Sequence, residues 1–431
     1  MPHFLMIPFL DQPTLAWIIF AATYFLISFQ NLPGIPLDRP AAAMLGATLM
    51  VVCGILTLEQ AWLAIEPNTI ILLLGMMILN VFLDLSGFFE LMVQKVLRSA
   101  RRPLRLLIGL AVLSGTLSAL FLNDTTCLML TPPLVMLLKR SKLPPAPFLL
   151  TLAMSSNVGS VVSLTGNPQN MLIGQFGSIT YLEFMLWLLL PGIASMAALL
   201  GILRLRYRRE LHAEPIHLCT TEETPAGLVD PVLLKKSLIV LCLVLIGFVA
   251  TSQLAIVSMV GASLLILWTG IPASKVLARV DWILLLFFAG LFIVIEGLER
   301  AGGVESFASL TRGLRDWPLL WQIAFFSLVT ILACNIVSNV PYVLLVQSII
   351  PTLAEPRLMW LVLALVSTFA GNLTIPGSVA TLIVLEGAKE DVHVGYFEFL
   401  RVGIWMVALT VILGLLILLS EYSLIASHPS G

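Results

Sequence analysis

The stretch from Leu120 to Asn170 constrains the fold of this chain more than any other part of the sequence. It is apolar enough to lie in a bilayer, yet Asn123-Asp124-Thr125 interrupts one apolar run, and polar, glycine-containing residues of 155–170 interrupt another. Such groups are costly in hydrocarbon unless they face a cavity within the protein. A weaker copy of the pattern runs from Val337 to Thr381. The sequence therefore predicts a polar site at mid-membrane depth, built by matching interruptions in both halves of the chain.

Composition indicates a helical protein that crosses a membrane many times. Of the 431 residues, 59% are hydrophobic and 11% are charged, whereas soluble domains carry about 25% charged residues. The five cysteines lack paired or metal-ligand spacing, and the sequence has no nucleotide-binding loop. We expect a lipid bilayer and a small ion as partners, and neither enzymatic activity, a cofactor nor a nucleic-acid partner. Na⁺ or H⁺ is the expected coupling ion.

Internal matches predict two copies of one structural unit. Met44-Leu45-Gly46-Ala47 matches Met259-Val260-Gly261-Ala262 at a separation of 215 residues. The other matched pairs, all within one residue of that separation, are Gly75 with Gly290, Pro103 with Pro318, Gly87 with Gly303, and Asn123 with Asn339. We predict a first repeat over residues 1–203, a charged cytoplasmic linker over 204–236 and a second repeat over 237–431.

Each half is predicted to hold the same elements in the same order. The first half has spans at 14–29, 41–58 and 68–85, a surface helix at 88–102, a re-entrant hairpin over 104–138, a broken span over 148–176 and a span at 183–203. The second half has spans at 237–250, 254–270 and 282–298, a surface helix at 304–316, a hairpin over 318–350, a broken span over 358–388 and a span at 399–420. The fold class is therefore an all-α polytopic membrane protein with about ten transmembrane helices and two re-entrant hairpins.

The hairpin tips are predicted at Asn123–Thr125 and at Ser338-Asn339. We expect the first hairpin to leave the membrane through Pro132-Pro133, with arms of about 18 and 14 residues, the second too short to cross comfortably.

The distribution of positive charge predicts the orientation. With the N- and C-termini outside, all but four of the 23 lysines and arginines lie on the cytoplasmic side, as the positive-inside rule favours. The four exceptions are Arg300, Arg312, Arg315 and Arg357. Because five spans per half is an odd number, the second repeat enters from the opposite side and is inverted, an arrangement that suits alternating access. We expect a location in a bacterial inner membrane.

Asp124 is the only acid predicted at a hairpin tip. A carboxylate within a membrane is a functional candidate, since desolvation favours its neutral form and a bound cation favours the charged form. It could thus exchange a proton for a metal ion or a substrate. The alternative is a structural carboxylate that caps the start of a helix.

The broken spans supply the other candidates. Gly159, Gly166 and Pro168 disrupt the first helix and free backbone carbonyls. Together with the side-chain oxygens of Ser156, Asn157, Thr165 and Asn167, these carbonyls could coordinate a small hard cation, and the helix start near Asn167–Asn170 could hold an anion. The second half offers only neutral groups, from Ser338, Asn339, Asn372, Thr374, Ser378 and Thr381. A packed helix kink is the alternative in each case.

With these motifs, the chain resembles the ion transporter superfamily, which includes arsenite permeases, sodium/proton antiporters, citrate transporters and divalent anion:sodium symporters. The segments that carry the resemblance are LNDTTCLMLTPPL at 122–134, SSNVGSVVSLTGNPQN at 155–170, SNVPYVLL at 338–345 and GNLTIPGSVATLIV at 371–384. Asn123-Asp124 looks like the hairpin motif of the arsenite permease branch.

The resemblance implies a dimeric elevator-type transporter in which a transport domain moves against a scaffold. It implies a substrate site formed by Asn123, Asp124, Thr125, Ser338, Asn339, Val340, Asn167, Asn170, Ser378 and Thr381. It implies ion sites near Ser156, Asn157, Gly159, Thr165, Gly166, Gly371, Asn372, Thr374 and Gly377. We expect a secondary active transporter of a small anion or oxyanion; a sodium/proton antiporter and, more distantly, a passive channel are the alternatives.

Overall fold

The described part of the chain is entirely helical, which confirms the predicted fold class. The computed structural model describes residues 11–28, 38–100, 102–211, 229–303, 312–389 and 394–427, and these form α-helices and short 3₁₀ turns with no β-strand among them. Seven of these helices are long and apolar enough to cross a membrane, and four shorter apolar helices accompany them.

The helices of the first half closely follow the predicted order. They are α1 (Gln12–Ser28), α2 (Arg39–Val52), α3 (Leu58–Ala64), α4 (Pro67–Leu85), α5 (Phe88–Ser99), α6 (Pro103–Leu120), α7 (Asn123–Arg140), α8 (Pro145–Ser160), α9 (Pro168–Phe176), α10 (Tyr181–Arg206) and α11 (Arg208–Leu211).

The second half repeats the hairpin, the broken helix and the long final helix. Its helices are α12 (Pro231–Ala250), α13 (Leu254–Thr269), α14 (Ala273–Leu277), α15 (Trp282–Arg300), α16 (Leu319–Val337), α17 (Asn339–Val346), α18 (Pro356–Ala370), α19 (Val379–Gly387) and α20 (Tyr396–Ser427).

The two halves pack against each other reciprocally. Helix α2 of the first half packs on α15 of the second, α13 of the second half packs on α4 of the first, and the long helices α10 and α20 pack together. Glycines permit the crossing of α4 with α13 and that of α15 with α2. A Cβ atom at Gly75 would lie 2.5 Å from Ser258 Oγ, and one at Gly290 would lie 3.0 Å from the Ala43 backbone. The matched glycines therefore mark equivalent helix crossings.

The first hairpin differs from its predicted form. Helix α7 continues through Pro132-Pro133 to Arg140, so α6 and α7 are both 18 residues long and the chain turns at Phe121-Leu122. Each proline removes one backbone donor but keeps a φ compatible with a helix. The second arm was predicted too short, at about 14 residues instead of the 18 of α7.

Other boundaries also differ from the predictions. The span expected at 41–58 ends at Val52, and after a turn at Gly54 (φ 75°) the separate helix α3 begins, capped by the reciprocal Thr57 and Gln60 bonds. Helix α12 begins at Pro231 because Asp230 caps its first turn, so Lys235 and Lys236 lie within it. Of the surface helix predicted at 304–316, residues 304–311 lie outside the described residues.

Helices α6 and α8 approach so closely that they should not tolerate a side chain at their contact. A Cβ atom at Gly159 would overlap the carbonyl oxygen and Cα of Gly115. We expect Gly159→Ala to lower the free energy of unfolding by about 1–3 kcal/mol, measured by thermal unfolding of the purified protein. Gly201→Ala in α10 is the control, since nothing lies within 4 Å of that position. Equal stability of the two variants would contradict the close approach.

Candidate functional site

The two broken helices have the same local construction. In each, an α-helix ends, a three-residue 3₁₀ turn follows, and a second helix starts. The turns are Leu164–Gly166 in the first half and Ile375–Gly377 in the second. Extended residues flank both turns: Ser163 and Asn167 in one, Thr374 and Ser378 in the other. Both interruptions thus expose backbone groups that the helices no longer satisfy.

Four polar side chains from both halves meet at a buried centre, here called the asparagine cluster: Asn123, Asn157, Asn372 and Ser378. Asn157 Oδ1 accepts hydrogen bonds from Asn123 Nδ2 and from Ser378 Oγ, both at 3.0 Å. Asn157 Nδ2 donates to Asn372 Oδ1 at 2.9 Å. All four residues are at most 6% exposed. The first hairpin, the first broken helix and the second broken helix therefore converge on Asn157.

A second network holds the first interruption in shape. Asn167 Oδ1 caps α9 by accepting from Asn170 N, and Asn167 Nδ2 donates to Ser160 Oγ at 3.0 Å and Thr368 Oγ1 at 3.2 Å. Asn170 Nδ2 donates to the carbonyls of Ser160 and Ser163, both at 3.0 Å. In this conformation, the Asn170 side chain satisfies two carbonyls at the break and Asn167 caps the start of α9, which are the contacts expected of a packed helix kink. Their predicted role in substrate binding stays a prediction.

The first hairpin tip lies beside a basic residue that the sequence analysis missed. Asp124 is half-buried at the start of α7, next to the start of α19 at Ala380, and within electrostatic reach of Arg39. Arg39 Nη2 donates to Pro376 O in the second interruption at 3.3 Å. In the sequence, Arg39 was one of many positive residues at the cytoplasmic ends of spans, and nothing distinguished it. Its partners are remote in the chain, with Pro376 337 residues away.

Ser156 and Thr125 complete the surroundings of this tip. Ser156 Oγ donates to Asn123 O at 3.3 Å and lies 2.8 Å from Ser118 Oγ. Thr125 is half-buried beside Asp124. The tip is thereby anchored to α8, so hairpin and broken helix are held together.

The second hairpin tip is strained and more separate. Ser338 has φ 76°, a conformation that costs a non-glycine residue about 1–3 kcal/mol. Asn339 Oδ1 is buried and has no hydrogen-bond partner among the described residues, and Val340 is buried. Within this part of the chain, no hydrogen bond joins Ser338, Asn339 or Val340 to the asparagine cluster. The structure thus brings one tip and both interruptions together by hydrogen bonds, and leaves the other tip outside that network.

The second interruption is tied to its own hairpin through Asn335. Asn335 Nδ2 donates to Ala370 O at 3.0 Å, and its Oδ1 accepts from Thr374 Oγ1 at 2.7 Å. Gly377 packs directly on the Asn335 side chain, where a Cβ atom would not fit. Sequence reasoning missed Asn335, although a lone asparagine within the apolar run of α16 was an available signal.

The remaining predicted residues lie around these contacts. The Thr381 side chain is fully buried and its Oγ1 has no partner in the described chain. Thr165 Oγ1 lies 3.4 Å from Tyr181 Oη. Gly166 packs on the Ser160 backbone, and Gly371 packs on Ser378.

Apolar helices broken around buried polar side chains are the architecture of membrane transporters, and comparison with known proteins agrees with that class. The model of the citrate transporter family (CitMHS) matches residues 16–370. The chain therefore belongs to the citrate transporter family, within the ion transporter superfamily, and is an ion transporter.

Relatives cover almost the whole chain. A 46 kDa membrane protein of Mycobacterium leprae (strain TN) is 30% identical over 415 residues, covering 92% of this chain and 96% of that protein. The arsenical pump membrane protein of Escherichia coli is 27% identical over 412 residues, covering 91% and 95%. The crystal structure of the Alcanivorax borkumensis YdaH transporter shares the fold, with a TM-score of 0.57, 14% identity and coverage of 95% and 98%.

The central position of Asn157 gives a stability prediction. Asn157→Ala leaves Asn123 Nδ2, Ser378 Oγ and Asn372 Oδ1 without that partner, and each orphaned buried group costs about 1–3 kcal/mol. We expect a loss of several kcal/mol in the free energy of unfolding, measured by denaturant or thermal unfolding.

Asn80 supplies a matched control for this variant. It is 2% exposed, and neither polar atom of its side chain has a hydrogen-bond partner in the described chain. Asn80→Ala makes the same truncation and orphans nothing, so it should cost clearly less than Asn157→Ala. Equal losses would show that the network around Asn157 adds nothing to stability.

Proposed function

We propose that this protein is a secondary active transporter that moves a small anion or oxyanion across the membrane, coupled to H⁺ or Na⁺. The observation that carries the proposal is the convergence of the first hairpin and both broken helices on Asn157. The names of relatives, which mention citrate and an arsenical, favour a small oxygen-rich solute. The remaining parts of the proposal concern the path, the coupling group and the arrangement of the halves.

The halves are proposed to be inverted repeats, over residues 1–203 and 237–431, joined by the linker at 204–236. Two contacts between residues 215 positions apart support this arrangement: Asn157 with Asn372, and Ser195 Oγ with Thr410 O at 3.5 Å. Equivalent residues of two copies meet each other only on a twofold axis. With an odd number of spans in each copy, that axis lies in the membrane plane. The positive-inside pattern then puts both termini outside a bacterial inner membrane.

Substrate is proposed to bind between the two hairpin tips, and the coupling ion beside the interruptions. In this proposal, Asn123, Asp124 and Thr125 would contact the substrate from the first half, and Ser338, Asn339 and Val340 from the second. In this conformation, the side-chain oxygens of Asn157 and Asn372 accept hydrogen bonds from other members of the asparagine cluster, so an arriving ion would exchange these hydrogen bonds for coordination. Elevator-type movement of a homodimer would then carry the occupied site between the two sides.

Asp124 is proposed as the coupling group. Its carboxylate is within electrostatic reach of the acid Asp281 and of the positive charge of Arg39. A proton or a Na⁺ that neutralises Asp124 would remove one negative charge from this group, so that Arg39 could attract an anion more strongly. Binding of the cation and binding of the anion are thereby coupled, because both change the net charge of the same site. In the second half, Val340 occupies the matching position, so only the first hairpin carries this group.

Asp124→Asn should abolish coupling without unfolding the protein, because the amide keeps the size and polarity of the carboxylate but cannot exchange a proton. In proteoliposomes, uptake of radiolabelled citrate or arsenite should cease to respond to an imposed H⁺ or Na⁺ gradient. The control is Asp316→Asn, which alters an exposed acid before α16. Full gradient-driven uptake by Asp124→Asn would remove its assigned role.

A sodium/proton antiporter is the second candidate, favoured by the same carboxylate at a hairpin tip. A pH-sensitive dye in everted vesicles separates the two functions. A response to Na⁺ with no anion present supports the antiporter, whereas a response that requires the anion supports the coupled anion transporter. Uptake that does not saturate and ignores both gradients would instead indicate a passive channel.

A further inference from the structure

A polar cavity of about 340 Å³, here called the vestibule, lies apart from the asparagine cluster. Five elements form it: the start of α4, the 3₁₀ turn Leu164–Gly166, the second half of α9, the turn and first residue of α10, and the start of α13 with the loop before it. None of the four cluster residues lines it. The vestibule therefore belongs to neither the predicted substrate site nor the predicted ion sites.

One buried group in the vestibule lacks a partner. Thr69 lines the cavity and is 2% exposed, yet its Oγ1 makes no hydrogen bond in the described part of the chain. A buried polar group without a partner costs about 1–3 kcal/mol. A ligand that bonds Thr69 Oγ1 would recover that energy.

The vestibule adjoins the first interruption. Leu164 of the 3₁₀ turn contributes to its wall, and so does Tyr181, whose hydroxyl lies 3.4 Å from Thr165 Oγ1. The Tyr181 side chain thus lies between the vestibule and Thr165 of the first interruption.

The lining determines the charge of a suitable ligand. Its polar side chains are neutral amides and hydroxyls, such as Asn68, Gln175, Ser252 and Gln253, and no charged residue is among the described residues that line it. Two acids are close to it in the chain: Glu66 accepts hydrogen bonds from the first-turn N–H groups of α4, and Glu183, two residues after Tyr181, is paired with Arg357. No lining side chain carries a positive charge that would balance an anion.

The starts of three helices complement this lining. Helices α4, α10 and α13 all begin at the vestibule, and α13 has no side-chain cap at Gln253. Its first-turn N–H groups therefore remain available as donors, while the amide and hydroxyl oxygens are acceptors. A ligand for this surface must both accept and donate hydrogen bonds.

We propose that the vestibule is a separate binding site for a small uncharged solute that carries several hydroxyl groups. This goes beyond the proposed function and does not rest on it. Boric acid, uncharged at pH 7, is a suitable probe, and sulfate is the charged comparison.

The test measures protection of a thiol at the vestibule. Ser252→Cys places a cysteine on an exposed lining position, and the rate of its labelling by a maleimide is followed above the background of the native cysteines. We expect boric acid to slow labelling several-fold and sulfate to have no effect. Adding Thr69→Val should abolish protection.

Two further variants separate the possible failures. Ser237, like Thr69, has a buried hydroxyl with no partner in the described chain, but it does not line the vestibule. Protection should therefore persist in Ser237→Ala. Asp124→Asn should also keep protection, even where coupled transport is lost. Protection by sulfate, no protection by boric acid, or protection that survives Thr69→Val would each overturn the proposal.

Discussion

Hydrocarbon offers no hydrogen-bond partner, and the centre of this protein is built around that constraint. Breaking a helix in the membrane frees backbone groups, and each must be satisfied from within the protein. Asn170 bonds two such carbonyls in the first half, and Asn335 bonds one in the second. Asn157 then joins the two halves, since its single amide bonds three other side chains. The irregular segments are stable because asparagine side chains provide both donors and acceptors.

The halves share a framework but differ in charge. Matched glycines permit equivalent crossings of α4 with α13 and of α2 with α15, so the framework is alike in both halves. Asp124 and Arg39 have no charged counterparts at the matching positions, Val340 and Leu254. Under the proposed function this difference matters, because a site with one charged side can link cation binding to anion binding. The shared helix framework therefore positions the two halves, and the charged tip of the first hairpin provides the proposed coupling group.

Sequence patterns predicted the helices well where a single property of the segment defined them. Apolar length located the long spans, and glycine with proline located both interruptions within a few residues. The prediction was less accurate around Pro132-Pro133, where an arm of about 14 residues was expected and the helix is 18 residues long. Arg39 was missed because its partners lie far along the chain. The vestibule was missed because it combines residues from five separate elements.

The sequence by itself determined that the chain is helical, lies in a membrane, has a matching order of helices in its two halves and carries a polar break in one apolar helix of each half. These properties depend on hydropathy, spacing and backbone chemistry, which are local. Only the tertiary structure decided which polar groups meet: that Asn157 joins Asn123, Asn372 and Ser378, that Arg39 reaches Pro376 and the neighbourhood of Asp124, and that Thr69 lines a cavity. Hydrogen bonds act over about 3 Å, so partners hundreds of residues apart are defined by helix packing and not by their positions in the chain.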